Sequence, residues 1–259
     1  HSYLVSPAGI TNYANQQIGS TQSSGFGNIA FNSDGSKFIY SNPQGLMEEY
    51  DFDRCTGVIS NPKNIFPEQT SPPYTRKFWG GAYSPSDSLF YSTTFPLVQS
   101  DTSRLLQFKL FYSNIGATAD TIKESNYVES LEELKKADNG KIFMTTFYKQ
   151  IFGFPDTMYN YINTNLSVIE FPNSIGNSSN LTQYSFYIGG KRTYAGLPNN
   201  PDYHLGPKIG SGCDTLTALN EHSQNIVISS LWPNPNNGEF TVNYFLPNGK
   251  RGVLEVFGS

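Results

Sequence analysis

Short apolar runs separated by polar, turn-forming residues recur along most of this chain. In residues 28–40, Ile29 and Phe31 alternate with Ala30, Asn32 and Ser33. Asp34-Gly35 then turns the chain, and Phe38, Ile39 and Tyr40 resume the apolar run. A period of two on either side of a pair that tolerates positive φ is the pattern of a β-hairpin. Residues 80–91, 134–144 and 184–194 repeat it, with turns at Ser88, at Asn139-Gly140 and at Gly189-Gly190. The turn residues Gly35, Ser88, Gly140 and Gly190 stand 53, 52 and 50 apart. A steady period near 50 with a hairpin in each unit predicts an all-β array of propeller-like blades. Residues 46–53 and 105–112 add a third strand to the first two units. Residues 129–137 hold good helix formers with Glu-to-Lys spacing, but they fall in register with the strand before the Asn139-Gly140 turn, and strand is the expectation there.

Composition supports this pattern. Aromatic residues make up 15% of the chain, as 17 Tyr, 19 Phe and 2 Trp, whereas charged residues make up only 15%, against about 25% in an ordinary globular protein. Aromatics mixed with turn formers suit many short strands and are a poor mixture for helices. The net charge of -4 does not attract a phosphate backbone, so nucleic acid is not an expected partner. No apolar run approaches the roughly 20 residues of a membrane helix, so no membrane span is expected. The four units cover residues 28 to 215, and further blades are expected outside this sequence.

Candidate chemistry is sparse. His1, His204 and His222 have no metal-ligand spacing to one another, and no nucleophile elbow, zinc-helix motif or phosphate loop occurs, so no catalytic residue, metal or cofactor is expected. Glu49, Asp51 and Asp53 alternate and would share one face of a strand, where they could hold a ligand or a calcium ion. A solvated strand face is the plainer account of them. Tyr and Trp beside Asn and Asp could stack on a sugar ring, which makes a surface glycan a candidate ligand. The 196–201 stretch, Gly-Leu-Pro-Asn-Asn-Pro, reads as a rigid blade connection. Cys55 and Cys213 are the two cysteines. In an oxidising compartment they could pair, and the long loop closed would contribute up to roughly 5 kcal/mol.

Beyond a polar linker at 216–225, residues 226–259 change character. Here the pattern is strand, turn, strand, turn, strand, with Trp232-Pro233-Asn234-Pro235-Asn236-Asn237-Gly238-Glu239-Phe240 at the first turn and residues 253–257, Val-Leu-Glu-Val-Phe, at the last. That first motif closely resembles the opening of the type A C-terminal sorting domain of the Bacteroidota type IX secretion system, with Trp232 in place of the usual Tyr. The resemblance implies the start of an Ig-like β-sandwich, with Trp232, Pro233, Asn234, Pro235, Asn236, Asn237, Gly238 and Phe240 carrying the sorting signal. It further implies type IX translocon components as partners. The protein would then pass through the periplasm to be secreted or displayed on the cell surface. Residues 52–57, 165–173 and 196–203 resemble segments of the propeller-like repeats that precede such signals. The sequence thus predicts propeller-like repeats over 1–215, a linker over 216–225 and a truncated sorting domain over 226–259. Taken with the sparse chemistry, the expected function is a non-enzymatic binding or scaffold protein. The alternatives are a glycan-binding protein or polysaccharide hydrolase whose active part lies partly outside this chain, and a cargo captured with the translocon.

Overall fold

A computed structural model describes residues 2–6, 9–96, 98–148, 159–194, 196–198, 205–206, 210, 227–232 and 241–245, with backbone alone over 2–6, 9–14, 227–232 and 242–245. The chain divides into two compact units, His1–Gly206 and Pro207–Ser259. It is all-β: among the described residues the only helical turns are two short 3-10 segments. No described helix is long and apolar enough to cross a membrane.

The first unit opens with a hairpin of β1 (Ser2–Ser6) and β2 (Gly9–Ala14). Three four-stranded antiparallel meanders follow. The first sheet is β3 (Asn28–Phe31), β4 (Lys37–Ser41), β5 (Met47–Phe52) and β6 (Ile59–Phe66). The second is β7 (Phe78–Tyr83), β8 (Leu89–Thr94), β9 (Ser103–Lys109) and β10 (Asp120–Ser125). The third is β11 (Glu129–Lys136), β12 (Ile142–Tyr148), β13 (Asn165–Ile169) and β14 (Leu181–Tyr187). Consecutive sheets of this kind are the repeating unit of a β-propeller, and the unit is propeller-like.

The expected hairpins at Gly35, Ser88 and Gly140 join the first two strands of each sheet. Asn32–Gly35 and Ala137–Gly140 close through a glycine N–H at 3.2 and 2.9 Å, with Gly35 and Gly140 at φ +68° and +77°. Residues 129–136 form a strand, as the repeat register requires. The fourth expected hairpin is corrected by the structure. Tyr184–Tyr187 ends the last strand of the third sheet, and none of residues 188–194 forms a strand. Gly189 and Gly190, at φ +65° and +76°, do turn the chain. They send it back onto the start of β13, where the Thr193 N–H donates to the Asn163 carbonyl at 2.8 Å.

The fourth strand of the first two sheets carries little hydrophobic signal. β6 contains Pro62 and a run of four exposed residues, and β10 reads Asp-Thr-Ile-Lys-Glu-Ser. A sheet edge tolerates a proline and needs no apolar face.

Two apolar cores sit between the sheets. Ile39 and Met47 of the first sheet pack with Phe78, Tyr83, Phe90 and Phe108 of the second. Leu89, Tyr91 and Leu105 of the second pack with Leu131, Leu134, Ile142, Met144 and Ile169 of the third. Phe90 and Phe108 are essentially fully buried, each stabilising the fold by about 2–3 kcal/mol. The interior strands thus alternate one face toward the preceding sheet and one toward the next.

In the second unit, β15 (Val227–Trp232) pairs antiparallel with β16 (Thr241–Phe245), and Trp232 stands opposite Thr241. Residues 233–240 of the expected sorting motif, and the expected last strand at 253–257, lie outside the described residues.

Candidate functional site

Of the first strands of the three sheets, β7 lies beside both β3 and β11. The approach of β7 to β11 depends on Gly80. A Cβ there would sit 2.4 Å from the Glu132 carbonyl oxygen and 2.9 Å from both the Glu133 Cα and the Leu134 nitrogen. Only a residue without a side chain lets two backbones come this close. Thr93 fastens the contact: its Oγ1 accepts from the Gly80 N–H at 2.9 Å and donates to the Glu132 carbonyl at 2.6 Å. Ser103 adds a bridge, its Oγ accepting from the Leu131 N–H at 2.8 Å and donating to the Thr94 carbonyl at 2.7 Å.

Around these strands opens a cavity of about 1330 Å³. Its walls come from Ile29, Phe31 and Phe52 of the first sheet, Phe143, Leu166 and Phe186 of the third, and Leu197, Pro198 and Leu205 beyond them. Its polar groups are tied to protein atoms. The Asn28 amide donates to both Glu133 carboxylate oxygens at 3.0 and 3.1 Å. The Lys136 ammonium donates to Ser33 Oγ at 2.7 Å, and the Arg54 guanidinium to the Gly206 carbonyl at 3.1 Å. Burial raises the Glu133 pKa, with the Asn28 bond and the Lys135 charge opposing it in part. The cavity is therefore walled largely by apolar side chains, with Glu133, Lys136 and Arg54 among its polar groups tied to protein atoms. Sequence reasoning did not single out Glu133 or Asn28, because their juxtaposition joins the first and third sheets across 105 residues of chain.

Glu49 and Asp51 stay together on β5, where both act on Lys37 and Tyr83, while Asp53 is not part of that strand. Asp51, on β5, pairs with Lys37 directly across on β4 and accepts from the Asn61 amide at 2.8 Å. The hydrogen bond from Lys37 holds the Asp51 carboxyl below its ordinary range and raises the Lys37 pKa. Asp53 lies beyond the end of β5 and serves the turn: its Oδ1 accepts from the Cys55 and Thr56 N–H groups at 2.8 and 3.3 Å. Glu49 stays on β5, facing the second sheet, where its charge adds to burial in raising the Tyr83 pKa. Among the described residues no group of three or more His, Cys, Asp or Glu gathers as a metal site. Cys55 is disulfide-bonded. Cys213, the other cysteine of the sequence, lies outside the described residues, as do all three histidines.

No protein-family model and no curated protein matches the sequence. Among solved structures, a putative 6-phosphogluconolactonase from Bacteroides fragilis is 13% identical with a TM-score of 0.38, over 61% of this chain and 37% of that one. A luciferin-regenerating enzyme is 13% identical with a TM-score of 0.35, over 66% and 49%. A chain of a nidogen/laminin complex is 13% identical with a TM-score of 0.36, over 64% and 61%. The chain spans less than two thirds of each of these structures. The fold assignment stands on the sheets themselves.

Proposed function

We propose that this chain is a non-catalytic binding or scaffold module of a protein exported through a type IX secretion system, with its C-terminal segment as the sorting signal. The observation that carries the reading is the strand pairing in the second unit. β15 ends at Trp232 and β16 begins opposite it at Thr241, so the sequence between the paired ends is the sorting motif itself, residues 233–240. A strand on either side of the motif is the order that the residue pattern of 226–259 predicts. Removing residues 226–259 from the full-length protein is expected to leave it in the periplasm. Surface display of the truncated protein, read by protease shaving of intact cells, would refute the reading.

A second reading, binding of a surface glycan, is favoured by one patch at the end of the third sheet. Tyr161 is 64% exposed and stands edge-on to Tyr184 at 5.3 Å, and Tyr187 is 64% exposed. The Asn165 amide donates to the Tyr161 carbonyl at 2.8 Å, and the Arg192 guanidinium lies 5.3 Å from the Tyr159 ring centre. Rings with polar groups beside them are the composition of a sugar-stacking surface. Retardation of the wild type in polysaccharide-loaded gels, lost in Tyr161→Ala and Tyr187→Ala, is the expected result; equal mobility with and without polysaccharide would exclude it.

A further inference from the structure

The turn between β3 and β4 gathers two cations at the cavity. Lys136, on β11, bonds through its ammonium to Ser33 Oγ at 2.7 Å. Two residues along the same turn, Arg54 lies against Gly35, and its guanidinium donates to the Gly206 carbonyl at 3.1 Å. Gly35, Arg54 and Lys136 all line the cavity. Each cation is thus held in place by a neutral oxygen, and among the described residues neither forms an ion pair. The carboxylates around them are engaged elsewhere. Asp34, between Ser33 and Gly35, turns its Oδ1 to the Ser36 N–H and hydroxyl at 2.9 and 2.6 Å, although the Arg54 charge helps to lower its pKa. Asp87 accepts from the Ser33 N–H at 2.9 Å. Glu133 accepts from the Asn28 amide through both oxygens and feels the charge of Lys135, the third cation of the lining. Asp138 stands exposed in the turn after β11. Half-buried cations without a counter-charge favour the arrival of an anion.

Beside the cations the lining is aromatic. Phe31 and Phe52 of the first sheet stand edge-on with ring centres 5.4 Å apart, and Phe143 and Phe186 of the third do the same at 5.1 Å. Phe31 precedes Ser33 by two residues and Phe52 precedes Arg54 by two, so the first pair adjoins the cationic end. Ile29, Phe31 and Phe186 are 55%, 45% and 49% exposed. Apolar side chains left uncovered around one cavity, rather than scattered singly, mark a ligand site. Rings in this setting take a flat guest by offset or edge-to-face contact. At about 1330 Å³ the cavity exceeds the roughly 300–1,000 Å³ of ordinary small-molecule sites, so a fused two-ring body fits with space for solvent beside it.

We propose that this cavity binds an aromatic carboxylate, with the carboxylate between Lys136 and Arg54 and the rings against Phe31 and Phe52. The guanidinium presents planar paired donors that match a carboxylate, and the ammonium adds a point charge. The aromatic body supplies the apolar area that the cavity leaves uncovered. This inference goes beyond the export reading and does not rest on it, so either can fail alone.

The test titrates the full chain by calorimetry with naphthoate and, as control, with naphthamide, which keeps the rings and lacks the charge. Saturable binding of naphthoate is expected, weakening as salt is raised. Naphthamide should bind weaker by about tenfold or more, the worth of a charge-assisted hydrogen bond. Lys136→Met and Arg54→Met should each weaken naphthoate by a similar factor and leave naphthamide unchanged, whereas Phe31→Ala should weaken both. Both cations are half-buried and lie outside the apolar cores, so wild-type melting curves are expected; if one variant melts early, the other carries the test, and the comparison of the two probes on the wild type needs no variant. Absence of saturable naphthoate binding would overturn the proposal. So would equal affinity for the two probes, or naphthoate binding that survives both cation substitutions. Octanoate binding more tightly than naphthoate would overturn the aromatic body in favour of a flexible chain.

Discussion

Replacing Gly80 by alanine tests the central contact of the first unit. The added methyl group would lie 2.4 Å from the Glu132 carbonyl oxygen and 2.9 Å from two further backbone atoms of β11. No flexible side chain can swing away to relieve it, so β7 and β11 must separate. Overpacking of this kind costs about 1–3 kcal/mol. Separation also weakens the Thr93 bond to the Glu132 carbonyl, a loss of about 1 kcal/mol. The total expected is about 3 kcal/mol, or roughly 6–12 °C in melting temperature for a domain of this size. Urea unfolding followed by tryptophan fluorescence is a suitable assay, because Trp79 adjoins the site and stacks on Phe95 with centroids 4.9 Å apart. Two glycines calibrate the result. A Cβ at Gly81 meets first the far end of the Phe90 ring, at 2.7 Å, and one at Gly25 meets nothing within 4 Å. Gly81→Ala should therefore cost less than Gly80→Ala, and Gly25→Ala should fall within about 0.5 kcal/mol of wild type. If Gly80→Ala were as stable as Gly25→Ala, the close approach of β7 and β11 would be wrong.

Two further substitutions separate structural from ligand roles. Burial raises the Glu133 pKa above its ordinary 4.5, so the folded state holds this proton more tightly than the unfolded chain. The stability linked to it is present below the ordinary value and is lost as pH rises toward the folded value. Glu133→Gln should remove that decline, so the stability difference between wild type and variant should shift in favour of the variant as pH rises above 4.5; urea midpoints for both that run parallel across this range would contradict it. Asp53→Ala should cost about 1–2 kcal/mol through the two turn N–H groups it leaves without an acceptor, equally with calcium and with chelator. A penalty seen only with calcium would restore Asp53 to an ion site.

The hairpins were legible because each joins local signals. Asp34-Gly35 and Asn139-Gly140 accept positive φ, and apolar alternation flanks them on both sides. The fourth hairpin misled for a physical reason: Gly189-Gly190 is a genuine turn at nearly the repeat spacing, but a turn that ends a strand and a turn that joins two strands have the same local chemistry. Only the pairing of β14 with β13 tells them apart. The Glu49, Asp51 and Asp53 alternation suffered similarly. Their spacing is that of one strand face, yet the chain leaves the strand at Phe52, and Asp53 turns to the backbone beyond it.

By itself the sequence determined the strand content, the period near 50 residues and the first two strands of each sheet, because those depend on φ preferences and on alternation over a few residues. It also carries the resemblance of residues 232–240 to a sorting motif, which is a matter of residue order. The tertiary structure decided which face of each strand is buried, which glycine bears a close approach, and that Glu133 meets Asn28. It also decided that Ile29 and Phe31, apolar like their buried counterparts, face outward. These depend on contacts between sheets far apart in the chain, and an apolar residue reads the same in sequence whether it is covered or exposed.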